Sequence, residues 1–243
     1  MRICLYCGHG GTPFDPGACG NGYREADLTR QLGEALQRFL SPYCDVDLYD
    51  TSKNLFSELK AGREKKTIFG AYDYNLELHF NSHTTTTAHG VEAYVSPEEF
   101  KRGVSVEEKI LKNLSKYFSN RGVKTSTSLQ NLNICRKNSP EKSYCLLEVC
   151  FISNYSNITS YISNFNDIVA LIGQGIIDGF GLVKSESAPT FNDVVEADWA
   201  YDEITALSLL GIVKGDGNGN FRPDDFLTRR EAAVLIYNLL NKK

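Results

Sequence analysis

The sequence lacks the features that would tie it to a charged polymer or a bilayer. Its 26 basic and 30 acidic side chains leave a formal net charge of -4. That excludes a nucleic-acid binder working through a broad basic surface. Residues 190–243 hold nine acidic and six basic side chains, and the remainder is close to neutral. An anionic partner would therefore have to be caught in a local pocket. No apolar run approaches the roughly 18 residues needed to span a bilayer. The opening MRICLYC is too short for the apolar region of a secretory leader and runs straight into a glycine turn. The seven cysteines are odd in number, and the chain is too long for a small disulfide scaffold. Cys4 and Cys7 form a C-x-x-C with no second pair behind it, so buried or incidental thiols are expected rather than a zinc or redox site. Free thiols point to a reducing compartment. Together these absences predict a chain made in the cytoplasm without a signal peptide.

What is present is ordinary for a globular protein of one or two domains: 243 residues, 42% hydrophobic and 23% charged. Arg2–Tyr6 reads as a buried strand. Residues 25–40 read as a helix, because Leu28, Leu32, Ala35, Leu36 and Phe39 share one face. Further strands are expected at 44–49, 74–81 and 91–95, a central apolar strand at 144–151, and helices at 106–118 and 165–180. Strands alternating with helices predict an α/β fold, a mostly parallel twisted sheet flanked by helices. The small, polar, proline-containing stretch at 184–190 reads as a linker between a domain at 1–183 and a module at 191–243. In the module, a helix over 199–210 ends at Gly211 with Ile212 placed for a Schellman stop. Thr228 and Glu231 form a capping box for a second helix, so the module is expected to be all-α.

Only four histidines occur, and two stand where α/β sheets collect ligands. His9 follows the first strand inside a glycine-rich bend, and His79 ends the strand 74–81. Strand parity places Tyr74, Leu76, Leu78 and Phe80 on one face and Asn75, Glu77, His79 and Asn81 on the other. Glu148 interrupts the apolar run CLLEVCF, where an unpaired charge is costly. Glu25 opens a helix whose dipole favours its ionised form. Strand ends of an open α/β sheet are where such groups could converge. Two imidazoles and a carboxylate would make a catalytic zinc site with an open position, and a further carboxylate could carry the proton. Glu77 could orient a histidine or simply be an exposed strand residue. His83 and His89 read best as a polar connection between strands.

Four stretches, GHGG, YREADLTRQLGEAL, LELHFNSHTTTTAHGVEAY and LLEVCFISN, stand in an order that resembles the zinc-dependent N-acetylmuramoyl-L-alanine amidases of the Amidase_3 (AmiC/CwlV-like) family. The resemblance covers about residues 1–183. It implies one Zn2+ held by His9, Glu25 and His79, Glu148 as the catalytic glutamate, and cleavage of the amide between N-acetylmuramic acid and L-alanine in peptidoglycan. The chain departs from the pattern at Tyr6-Cys7, at Cys150, and in the stretch before His79, none of which removes a ligand.

Residues 191–240 resemble one S-layer homology repeat, with Phe-x-Asp-Val, Trp, Gly-Ile-Val-x-Gly, Phe-x-Pro-Asp and Thr-Arg-x-Glu in order. The resemblance implies binding of a secondary cell-wall polymer, with Arg229 as the main contact and Asp193 and Trp199 as weaker candidates. Core packing is the better expectation for Trp199. Only one repeat is found where the family usually carries three, so either the single copy oligomerises, or it binds weakly and locally, or the remaining repeats lie elsewhere. GDGNGNFRPDD is no EF-hand loop, since Phe221 and Leu227 occupy the positions that need Gly and Glu. The combined expectation is a wall-lytic zinc amidase with an anchoring tail, of phage or prophage endolysin type, acting on the wall after release from the cytoplasm. A zinc endopeptidase of the stem peptide and a non-catalytic wall-binding protein are the alternatives. Neither nucleic acid nor membrane is expected as a partner.

Overall fold

The computed structural model describes residues 1–10, 15–184, 191–209 and 211–240. They fall into two compact units, Met1–Lys184 and Ser185–Lys243. The linker read at 184–190 lies, apart from Lys184, outside the described residues.

The first unit begins with β1 (Arg2–Cys7), the short ladder β2 (Cys19–Gly20) and β3 (Tyr23–Arg24), then α1 (Glu25–Leu40), β4 (Asp45–Leu48) and α2 (Leu55–Lys60). It continues through β5 (Tyr74–Asn81), β6 (Val91–Val95), α3 (Pro97–Arg102), α4 (Ser105–Leu114), β7 (Asn120–Thr125) and α5 (Gln130–Asn138). β8 (Ser143–Phe151), α6 (Tyr155–Ser163) and α7 (Phe165–Phe180) complete it. Six strands form one sheet in the order β4-β1-β5-β8-β6-β7. β4, β1, β5 and β8 run parallel. β6 is antiparallel to β8 and parallel to β7. The expected mostly parallel sheet flanked by helices is thus the observed fold.

Alternation along the strands divides the core into two layers. Ile3, Leu5, Leu76, Leu78 and Leu147 meet α1, α4 and α7 through Leu28, Leu32, Ile110 and Ile172. Cys4, Tyr6, Tyr144 and Leu146 face Leu55, Leu59, Phe69 and Leu132 on the other side. Cys4 and Cys7 therefore point to opposite faces, and the Cys7 thiol donates to the Thr29 carbonyl at 3.3 Å. A C-x-x-C on a strand cannot close on one ion when its odd spacing sends the thiols apart. Among the described residues, no helix is long and apolar enough to cross a membrane.

Glu99 ties α3 to the start of β8, its carboxylate accepting the Tyr144 N–H at 2.9 Å. Burial, with the Glu107 charge adding to it, pushes this carboxyl from an ordinary 4.5 up to about 7. An acid raised in the folded state binds its proton more tightly there than in the unfolded chain. Its contribution is fully present below about pH 4.5 and is lost as pH rises through about 7. The shift corresponds to on the order of 3 kcal/mol. Glu99→Gln keeps an oxygen for the Tyr144 N–H and removes the titration. The fall in Tm between about pH 5 and about pH 8 should therefore shrink by several degrees in the variant; equal falls in both proteins would refute this.

The second unit contains α8 (Tyr201–Leu209) and α9 (Arg229–Leu240), joined by loops, with Phe191, Val194 and Ile204 as its small core. Gly211 adopts φ 65° and the Ile212 N–H reaches the Leu207 carbonyl at 2.9 Å, closing the expected Schellman stop. The capping box is also formed. Glu231 N–H donates to Thr228 Oγ1 at 3.2 Å, and Thr228 N–H donates back to Glu231 Oε2 at 2.8 Å.

Candidate active site

β1 ends at Cys7, and Gly8 N–H still reaches the Leu78 carbonyl at 2.9 Å, so the chain leaves the sheet beside β5. His9 follows at φ 66°, a left-handed conformation that is strained for a residue with a β-carbon. Its surroundings hold it there. Nδ1 lies 2.8 Å from Asp15 Oδ1, and the His9 carbonyl accepts from Arg30 Nη2 at 3.1 Å. Asp15 is fixed in turn by the Gly10 N–H at 3.0 Å and by the side-chain amide of Asn54. The glycines around the bend leave room for the imidazoles. A β-carbon on Gly8 would stand 2.5 Å from His79 Cε1, and one on Gly17 would stand 2.5 Å from His9 Cδ2.

Glu25 is the hub. It opens α1 without a side-chain cap and is 3% exposed. Oε1 accepts the Phe80 N–H at 2.9 Å and lies 2.8 Å from His79 Nδ1. Oε2 accepts the Ala18 N–H at 2.9 Å and lies 3.1 Å from His9 Nε2. Burial opposes its charge, yet the two imidazoles outweigh burial and hold its carboxyl well below the usual range. Burial likewise opposes charging of His79, and Glu77 and Glu25 overcome it, pushing the imidazole well above its ordinary value. One donor atom from each of His9, Glu25 and His79 lies within 4.8 Å of the others.

Each histidine turns its remaining nitrogen to a second carboxylate. His9 meets Asp15, and His79 Nε2 lies 3.4 Å from Glu77 Oε1. Glu77 is buried and further held by Asn131 Nδ2 at 2.7 Å and the Tyr144 hydroxyl at 2.5 Å. Such outer carboxylates fix the tautomer and turn the other nitrogen's lone pair inward. Glu148 stands opposite His79 on β8 and opposite Glu92 on β6, on the same sheet face. Burial pushes its carboxyl up to about 7, with Glu25, Glu92 and Glu77 adding to the rise and His79 opposing it. Its Oε2 is buried and accepts no hydrogen bond. Two nitrogens and one oxygen, converging with oriented tautomers, suit a divalent ion of intermediate hardness. The orphaned Oε2 of Glu148 is a further acceptor left over for a proton. A cleft of about 500 Å³ opens beside the constellation, lined by His9, Asp15, Asn54, His79 and Asn131 among others.

The structure thus brings His9, Glu25, His79, Glu148 and Glu77 to one sheet edge. Asp15, Asn54, Asn131 and Tyr144 are additions that sequence reasoning missed. Asp15 stands in GTPFDPG, where an aspartate is ordinary turn chemistry, and contacts spanning 54 or 67 residues leave no local signal. His83 and His89 are exposed and lie outside the constellation. In the second unit Arg229 is exposed at the start of α9. Asp193 spends both carboxylate oxygens on the N–H groups of Phe221 and Arg222, at 2.7 Å each. Trp199 is 95% exposed, so the expectation of core packing fails.

The family model for N-acetylmuramoyl-L-alanine amidase matches residues 3–179. The chain belongs to that family. The sporulation-specific N-acetylmuramoyl-L-alanine amidase of Bacillus subtilis is 29% identical over 194 residues, covering 77% of this chain and 71% of that protein. The solved amidase AmiC2 of Nostoc punctiforme superposes with a TM-score of 0.60 at 21% identity, covering 74% of this chain and 97% of that one, and supports the fold. The S-layer homology domain model matches residues 190–233. The outer membrane protein SlpA of Thermus thermophilus is 42% identical over 64 residues, 26% of this chain but 6% of that protein. The chain therefore shares only a small module with this relative and spans a small part of its length.

The S-layer module overturns one expectation. A chain made in the cytoplasm without a signal peptide, acting after release, does not fit a module shared with proteins of the outer cell surface. The thiol argument behind that expectation also loses three of its seven cysteines. Cys4, Cys7 and Cys135 are buried, and burial pushes each thiol up to about 12. The reactive thiolate is then absent at neutral pH, so these cysteines say nothing of the redox compartment.

Proposed function

We propose that this amidase is zinc-dependent, is secreted to the cell surface, and hydrolyses the amide joining N-acetylmuramic acid to L-alanine in peptidoglycan. The observation that carries this reading is the approach of His9, Glu25 and His79 to within 4.8 Å, with Glu148, its Oε2 unpartnered, paired with His79 across β5 and β8. His9, Glu25 and His79 would hold the ion, which when bound supplies a Lewis acid for the carbonyl and lowers the pKa of water. Glu148 takes the proton of the attacking water and returns it to the departing alanine nitrogen. Its burial suits that work, because a carboxyl poised near neutrality both accepts and releases a proton. Asp15 and Glu77 hold the two imidazoles in the tautomers that binding needs. The S-layer module would retain the enzyme on a secondary wall polymer, with Arg229 and Trp199 free to touch it.

Digestion of purified peptidoglycan, followed by mass analysis of the fragments, tests the reading. The expected products carry a free lactyl carboxyl on the glycan and a free alanine amine on the peptide, and a chelator should abolish their formation. New amines inside the stem peptide, with the lactyl bond intact, would overturn it. Asp15→Ala should weaken zinc binding by about 10- to 100-fold, because His9 loses its orienting partner. Zinc titration against a competing chelator measures this, and an unchanged affinity would remove Asp15 from the site.

A further inference from the structure

Beyond Glu148, the row of polar side chains along the sheet edge continues. Glu92, opposite Glu148 on β6, is 2% exposed and its carboxylate is saturated. Oε1 accepts from Asn81 Nδ2 at 2.8 Å and from the Tyr94 hydroxyl at 2.9 Å. Oε2 accepts from Arg121 Nε at 2.5 Å and from the Lys124 ammonium. Two cations thus share one carboxylate. One would neutralise Glu92, and the second leaves an excess positive charge beside a catalytic edge otherwise lined with carboxylates.

Both cations are held in place yet open to solvent. The Arg121 guanidinium lies 5.1 Å over the Phe151 ring and also donates to the His89 carbonyl at 3.3 Å. The Lys124 ammonium lies 5.6 Å over the Tyr94 ring. Their side chains remain 39% and 37% exposed. A fixed fork and a fixed point charge, partly hydrated, are what a carboxylate ligand needs, since little side-chain entropy is lost on binding.

We propose that Arg121 and Lys124 form a subsite for a carboxylate of the wall peptide, so that the peptide runs from Glu148 across β6 toward β7. This rests on the amidase reading above. The scale fits. Two strand spacings separate β8 from β7, about 10 Å. A peptide advances about 3.5 Å per residue, and the cationic heads reach back toward the edge. A carboxylate on the second residue after the scissile amide falls within their range.

The test uses the full chain and two soluble muramoyl-peptide probes that differ only at the second residue's α-carboxyl, free in one and amidated in the other. The wild-type enzyme should show a KM roughly tenfold lower for the free acid, the effect of one charge-assisted contact. That preference should shrink as ionic strength rises, because the cations are solvent-facing. In Arg121→Gln and Lys124→Gln the ratio between probes should fall toward one. Equal KM values in the wild type, or ratios unchanged in folded variants, would overturn the subsite while leaving the amidase reading intact. Should a variant fail to fold, the wild-type ratio and its salt dependence decide the matter. Cleavage of neither probe would overturn the amidase reading and this inference with it.

Discussion

Glu148→Gln should leave zinc bound and lower wall hydrolysis by about two to four orders of magnitude, the usual contribution of a positioned general base. The amide has nearly the shape of the acid but cannot take a proton from water. Metal binding should survive, since Glu148 is not among the three donor groups, His9, Glu25 and His79, that converge. Folding should survive as well. The carboxyl is buried, raised to about 7 and unpartnered at Oε2. A group raised in the folded state loses its stabilising contribution as pH climbs through that value. At alkaline pH the variant should therefore be at least as stable as the wild type. Turbidity loss of a wall suspension, zinc content and Tm form the three readouts. A variant that kept more than about a tenth of the activity would remove Glu148 from the chemistry.

How much of this was legible beforehand follows from where each signal resides. Period-two alternation along β5 placed His79 opposite Leu78 and Phe80, because side-chain direction on a strand is a local property. The glycines around His9 announced a bend, and an acid inside CLLEVCF announced a special environment. Glu25 was visible as the first residue of a strongly amphipathic helix. β7 and α5 were not visible. NRGVKT is a polar edge strand whose valine is only half-buried, and charged edge strands protect a sheet from pairing with neighbours at the cost of a recognisable pattern. QNLNICRKN buries Asn131, Leu132 and Cys135 and leaves the rest half-buried or exposed, too few apolar positions to mark a stripe. The partners Asp15, Asn54 and Tyr144 meet the histidines and Glu77 only after the chain has folded. Trp199 failed for the opposite reason. Apolar character predicts burial, but a small unit has little interior to offer, and this ring remains on its surface.

Glu25→Gln should abolish stoichiometric zinc binding and destabilise the fold at once, although glutamine has almost the same shape. The wild-type carboxylate accepts a backbone N–H on each oxygen, Phe80 on Oε1 and Ala18 on Oε2. Whichever way the glutamine amide is turned, its NH2 faces one of those N–H groups, donor against donor. A buried donor left without an acceptor costs about 1–3 kcal/mol, and the two imidazoles lose the negative charge that holds them together. The loss in the ion's affinity should be larger still, because an amide is a poor ligand beside a carboxylate. Glu25→Asp separates the two effects, since it keeps the charge and both acceptors but withdraws them by one methylene. It should recover part of the stability and little of the affinity. Zinc content by metal analysis and Tm with and without added zinc measure both quantities. If the glutamine variant retained one zinc per chain, the ion would not sit at Glu25, and the hydrolytic site would have to lie elsewhere on the sheet.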